Sequence, residues 1–325
     1  MANASKDSDL TIGVDLGGSH VSAMLVAPDG EVRFRSSADI TDLTYEVVLK
    51  LIVAAIREAS SKAKAISAIG LGSPGNIDPA SGTVRYSPNF GWRDAPLGKS
   101  LRAAFDVPIF IGNDARCATL GEHTYGTGKG TANFVLMTLG TGIGGGIVSE
   151  GTLLLGNAMA AGEFGHHQIR ATDGFICGCG KVGCFEAQAS GQGLIRHALA
   201  VAPSFPRSAL FGENARDIGS KAIRKAAEAG DAHGLAAWNR FIDDLARGIA
   251  NVIAFVNPEL IALGGGVSSA GDFMLNALRP KVDELTTMAP KGTTKLVAAV
   301  LGNDAGGIGA AVMARRGGLT TKERD

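Results

Sequence analysis

Apolar residues recur at helical spacing between Tyr45 and Ser60, at Val48, Leu51, Ile52, Ala55 and Ile56. That spacing predicts an amphipathic helix. A longer stripe runs through Leu235, Trp238, Phe241, Ile242, Leu245, Ile249, Val252, Ile253 and Val256 and stops at Pro258. It predicts a core helix ended by a residue that cannot continue it. Short apolar runs at 65–71, 108–111 and 259–263 predict strands. Positions 115–122 and 214–229 read as helices, 203–212 as a loop and 320–325 as a frayed tail.

Two longer segments share one layout. Residues 10–26 and 134–148 are each a β-rich apolar run, a glycine turn carrying a hydroxyl residue, and a second β-rich run. Each predicts a hairpin. The tips are Asp15-Leu-Gly17-Gly18-Ser19 and Gly140-Thr141-Gly142. Strands alternating with helices, with such a repeat one domain length on, predict a duplicated α/β fold.

Composition narrows the setting. With 325 residues the chain is long enough for two domains. Its formal net charge of zero leaves no basic surplus for nucleic acid or an anionic membrane. The polar amino-terminal stretch has no apolar leader pattern, and no apolar run reaches membrane-spanning length. A cytoplasmic protein is expected. The 46 glycines are twice the usual share and cluster, which predicts loops where backbone approaches a ligand.

The densest chemistry lies between Glu163 and Glu186. Glu163-Phe-Gly-His166 precedes Cys177-Gly-Cys179-Gly-Lys-Val-Gly-Cys184-Phe-Glu186. One histidine and three cysteines make a complete tetrahedral set for structural zinc. The spacing H-x10-C-x-C-x4-C is not the paired C-x2-C of zinc fingers. Three small buried thiols, or a disulfide, are the other readings of these residues. The segment has no apolar periodicity, and Cys177 and Cys179 are too close in the chain for easy bridging.

Elsewhere the residues leave alternatives open. Asp15-Leu-Gly17-Gly18-Ser19 after a strand is an ordinary hairpin tip or a phosphate cradle of backbone N–H groups. It matches neither G-x-G-x-x-G nor the Walker A loop. Gly264-Gly265-Gly266 follows a third strand, and three glycine tips after three strands suit a nucleotide. Asn113-Asp114 is a helix cap or a carboxylate at a strand's carboxyl end, where α/β proteins place catalysis. Gly72-Ser-Pro-Gly75 and Ser87-Pro-Asn89-Phe-Gly-Trp92 show turn chemistry; Asn89 could bond a polyol and Trp92 could be a packed anchor. Cys117 reads as a core thiol.

Together these motifs resemble the ROK family (repressor, open reading frame, kinase), over roughly residues 10–315. The most specific string is C-x-C-G-x2-G-C-x-E at 177–186, joined by E-x-G-H at 163–166 and the two glycine tips. The resemblance implies the sugar-kinase/actin/Hsp70 fold, two lobes of duplicated ribonuclease H-like domains with a cleft between them. A small α/β domain would span 1–116, completed by a carboxyl-terminal helix at about 305–325. A large α/β domain at 117–304 would hold the zinc loop and a dimerisation surface.

The resemblance also implies roles. Asp114 would be the general base. Gly72, Asn89, Asn113, Asp114, Glu163, His166 and Glu186 would hold the sugar. Asp15, Gly17, Gly18, Ser19, Thr141, Gly142, Gly265 and Gly266 would hold ATP with Mg2+. His166, Cys177, Cys179 and Cys184 would bind structural zinc, His166 over its neighbour His167. The implied reaction is ATP-dependent phosphorylation of a hexose, glucose foremost, at the C6 hydroxyl. Mannose, fructose or an N-acetylhexosamine as substrate, polyphosphate as donor, and a non-catalytic sugar sensor are the alternatives. A homodimer or homotetramer is implied. Ser19-His20 stands where many members carry Thr-Lys, which bears on donor affinity. The first tip begins by residue 15, and the kinase branch is expected over the repressors, which carry an amino-terminal DNA-binding domain.

Overall fold

A computed structural model describes residues 9–208, 210 and 219–319. The predicted tail at 320–325, the start of the predicted helix at 214–229 and the end of the 203–212 loop lie outside them. By internal contact the chain divides into two units. Unit 1 is 1–132, 146–162 and 300–325; unit 2 is 133–145 and 163–299.

The elements run in order β1 (Thr11–Leu16), β2 (His20–Val26), β3 (Val32–Asp39), α1 (Tyr45–Ser60), β4 (Ile69–Ser73), β5 (Asn76–Ile77), β6 (Val84–Ser87) and β7 (Trp92–Ala95). Then come α2 (Leu97–Ala104), β8 (Ile109–Asn113), α3 (Asp114–Tyr125), β9 (Phe134–Leu139), β10 (Ile143–Ser149) and β11 (Thr152–Leu153). They are followed by α4 (Phe185–Ala189), α5 (Gly191–Val201), α6 (Ser220–Glu228), α7 (Ala232–Val256), β12 (Leu260–Gly264), α8 (Asp272–Leu285), β13 (Lys295–Ala298) and α9 (Ala305–Arg315).

The two large sheets repeat one plan. In unit 1 the order is β3-β2-β1-β4-β8, an antiparallel hairpin feeding parallel strands. The other sheet has the order β11-β10-β9-β12-β13, with β9, β12 and β13 parallel. Both predicted hairpins are present, and their glycine tips fall at 17–19 and 140–142. A small antiparallel sheet, β5-β6-β7, carries the turn with Asn89. The sequence patterning gave no sign of it beyond turn residues.

Unit 1 is cored by Ile12, Val14, Ile52, Ile56, Ile69 and Leu71, all fully buried. The helix predicted from Tyr45 to Ser60 is α1, and its buried face is Val48, Ile52, Ala55, Ile56 and Ala59. Trp92 is a packed anchor: it stacks on Phe90, and its indole N–H donates to the Leu43 carbonyl. α9 sits flat on β1 and β4 because glycines remove side chains there. A Cβ on Gly13 would lie 1.9 Å from the Gly307 carbonyl oxygen, and one on Gly70 equally close to that of Ala310. α3 packs against α9, which draws it into unit 1 instead of opening a second domain after residue 116.

In unit 2, α7 is the predicted long helix. Asp231 caps it by accepting from the Gly234 N–H at 2.7 Å, and Asn257 ends it in the left-handed conformation just before Pro258. Trp238 and Phe241 are buried on it, and truncating either to alanine would cost about 3–5 kcal/mol. Residue 203, expected in a loop, sits in a 3-10 turn, Ala202–Ser204. Among the described residues no helix is long and apolar enough to cross a membrane.

Candidate active site

The carboxyl ends of β1, β4 and β8 bring the unit 1 candidates together. Asp15 pairs in register with Gly72, and Ser73 with Asn113. Asp114 follows as the first residue of α3. The capping question divides between neighbours. Asn113 is the cap, accepting from the Arg116 N–H at 3.2 Å while its amide donates to the Gly75 carbonyl. Asp114 is thereby fixed at the helix start, at the strand end where α/β folds place chemistry. A Cβ on Gly72 would stand 3.2 Å from the Asp114 Cα, so glycine leaves this floor bare. Cys117 is fully buried beneath it, and burial pushes its thiol well above the usual range.

Asp15 points at the start of α9. A Cβ on Gly306 would come within 2.7 Å of its Cγ. Burial raises the Asp15 carboxyl above its ordinary value, with the His20 charge opposing. Gly18, Ser19 and His20 are exposed at the hairpin tip, and Gly17 is partly so. A Cβ on Gly18 would lie 3.6 Å from the Asn89 amide nitrogen, which places the sugar-side candidate Asn89 beside the first tip.

The other two tips lie together in unit 2. Thr138 pairs with Gly264, and Gly265 takes a positive φ of 83° against Leu139, where a Cβ would meet the Leu139 carbonyl oxygen at 2.6 Å. Thr141 is exposed at the second tip. The Gly191 N–H donates to the Gly140 carbonyl, which brings in the amino end of α5, capped by Ser190. Sequence reading missed this helix end; the Ser190 cap was its one available signal. It also missed Arg116, buried on α3, whose guanidinium donates to the Ala161 carbonyl two positions before Glu163.

The metal candidates converge. One ligand atom from each of His166, Cys177, Cys179 and Cys184 lies within 4.8 Å of all the others. Cys177 Sγ is 3.7 Å from His166 Nδ1, and Cys179 Sγ is 3.6 Å from Cys184 Sγ. Sulfurs tetrahedral on zinc at about 2.3 Å stand about 3.8 Å apart, so this set fits that ion. All the cysteines are free, and the sulfur separation is far beyond a disulfide. His167 turns away, its Nδ1 donating to the Phe164 carbonyl and its ring against Phe185. Glu163 precedes the 3-10 turn that carries His166, and Glu186 lies in the first turn of α4.

The family model described as ROK family matches residues 11–317. The chain belongs to the ROK family. Among ROK relatives, a glucokinase of Thermotoga maritima is 38% identical over 92% of this chain and 95% of its own. A xylose repressor of Caldicellulosiruptor bescii is 30% identical over 89% of this chain and 74% of its own. Among solved structures, a ROK family glucokinase from Streptomyces griseus in complex with glucose and AMPPNP superposes with a TM-score of 0.83. It is 34% identical and covers 94% of this chain and 99% of its own. The fold is that of the ROK sugar kinases, in the sugar-kinase/actin/Hsp70 class.

Proposed function

We propose that this ROK protein is an ATP-dependent hexokinase that converts glucose to glucose 6-phosphate. What carries the reading is Asp114 at the carboxyl end of β8, in a chain that matches proteins described as glucokinases almost end to end. The C6 hydroxyl oxygen forms a bond to the γ-phosphorus in line as the bond to the ADP oxygen breaks. Asp114 takes the hydroxyl proton. Positioning and charge neutralisation supply most of the acceleration, and general-base help of this kind is worth about 10^2–10^4-fold.

Asn89, Asn113, Glu163, His166 and Glu186 hold the sugar, and Gly72 leaves room for it. Carboxylates and amides suit a neutral polyol because they accept and donate hydrogen bonds, and a site built this way rejects sugars lacking a hydroxyl. Backbone N–H groups at Gly18, Gly142, Gly265 and Gly266, with the hydroxyls of Ser19 and Thr141, hold the nucleotide, and Gly17, whose N–H donates to the His20 carbonyl, closes the first tip beside it. Magnesium, when bound, neutralises phosphate charge, and Asp15 would orient it. His166, Cys177, Cys179 and Cys184 would hold a zinc ion that stiffens the loop and takes no part in the reaction. Assembly as a homodimer or homotetramer in the cytoplasm belongs to the same reading.

The test is product identification. Incubation with glucose and Mg-ATP should give one new phosphate ester, placed on C6 by phosphorus-coupled proton NMR. Ester formation at another carbon would refute the assignment. A non-catalytic sugar-binding role is the second reading, favoured by the xylose repressor likeness; glucose binding without ADP release would establish it.

A further inference from the structure

Asp244 sits in the middle of α7 with no solvent exposure, a charged residue on the face that buries Trp238, Phe241 and Ile249. A buried carboxylate persists only where it is paired. Here it has two partners. The Arg170 Nε–H donates to both its oxygens, at 2.9 and 3.1 Å. His197, buried on α5, places Nε2 at 3.2 Å from Asp244 Oδ2 and 3.1 Å from the Gln188 carbonyl. Both neighbours of that nitrogen are acceptors, so Nε2 carries the proton and donates.

These partners bracket one segment of chain. Arg170 is where the metal loop departs: the Ile169 and Arg170 N–H groups donate to the Gly183 carbonyl, beside Cys184. Gly183 lies so close that a Cβ there would be 1.8 Å from the Arg170 carbonyl oxygen. At the far end, Gln188 belongs to α4, two residues beyond Glu186. Cys177, Cys179, Cys184 and Glu186 all lie between the two attachment points.

We propose that Asp244 is a positioning residue for the sugar side of the site, gripping the 170–188 segment at both ends. It touches no proposed substrate atom. Its charge holds Arg170 on one side and orients His197 on the other. The inference rests on the hexokinase reading. In an Asp244→Asn variant one oxygen becomes an N–H donor facing donors, so at least one end is released. α7 itself stays packed through its apolar face.

The experiment measures steady-state kinetics of the full-length protein with both substrates, thermal melting, and the rate of zinc loss to a chromogenic chelator. Asp244→Asn should raise the glucose KM about tenfold or more, with kcat and the ATP KM within about twofold. Zinc should leave it faster than the parent. Arg170→Lys keeps a cation and should restore most of the glucose affinity, while Arg170→Met should match Asp244→Asn. This second pair decides the matter if Asp244→Asn does not fold. A folded variant with unchanged glucose KM and zinc loss overturns the inference, as do glucose KM, ATP KM and kcat degrading together. A parent protein with no glucose-dependent ADP release instead refutes the hexokinase reading, and the inference with it.

Discussion

The Glu186 carboxylate accepts a 2.9 Å hydrogen bond from the Ile143 backbone N–H through Oε2. Its other oxygen stands 3.9 Å from Cys177 Sγ. One side chain thus joins the metal loop to the strand leaving the second glycine tip. A Cβ on Gly142 would lie 2.3 Å from Oε2, so that tip is glycine partly to admit Glu186.

Glu186→Gln tests this double attachment. The amide keeps one acceptor but turns a donor toward either Ile143 or Cys177. The glucose KM should rise about tenfold or more, and the ATP KM should rise by a smaller factor because the tip loses its brace. An unchanged glucose KM would place Glu186 outside the sugar site.

Asp114→Asn removes the proposed proton acceptor while keeping the shape of the first turn of α3. The expected outcome is a kcat loss of about 10^2–10^4-fold with glucose binding retained by calorimetry. Near-normal turnover would remove Asp114 from the role of base.

Cys179→Ser separates metal from packing, because Cys179 is the exposed member of the cluster. Bound zinc should fall below about one per chain, and glucose affinity should fall with it. Metal-replete parent protein without zinc would show that the cluster does not bind that ion.

Asp15 gives a pH-dependent prediction. Burial raises its carboxyl in the folded chain, so the native state holds the proton more tightly than the unfolded state. Its contribution to stability is therefore greatest below the unfolded value and is lost as pH rises through the folded one. In ligand-free protein Asp15→Asn should melt higher than the parent at pH 7–8, with the gain shrinking toward pH 4. Turnover with Mg-ATP should drop in the same variant. A gain that grows toward acid pH would contradict the burial argument.

The two hairpins, α1 and α7 were legible because their patterns are local and their faces one-sided. The metal set was legible as residue types, with His166 selected over His167 by the family motif, and the folded loop places His166 inside the cluster and turns His167 away. The bond from Ile143 to Glu186 was not legible. Its donor is a backbone group 43 positions away, and any residue but proline could supply it. Asp244 was hidden for another reason: beside Asp243 it looks like part of a polar interruption in an apolar stripe until Arg170 and His197 are seen around it. The strand predicted at 65–71 begins only at Ile69, since Ser67 turns its N–H to the Leu10 carbonyl ahead of the parallel ladder.

The central claim is ATP-dependent phosphorylation of glucose, and ADP release measured across a panel of hexoses tests it most directly. Glucose should give the highest kcat/KM, with mannose, fructose and N-acetylhexosamines below it and no release without sugar. Absence of sugar-dependent ADP release, or a clear preference for another hexose, would contradict the account.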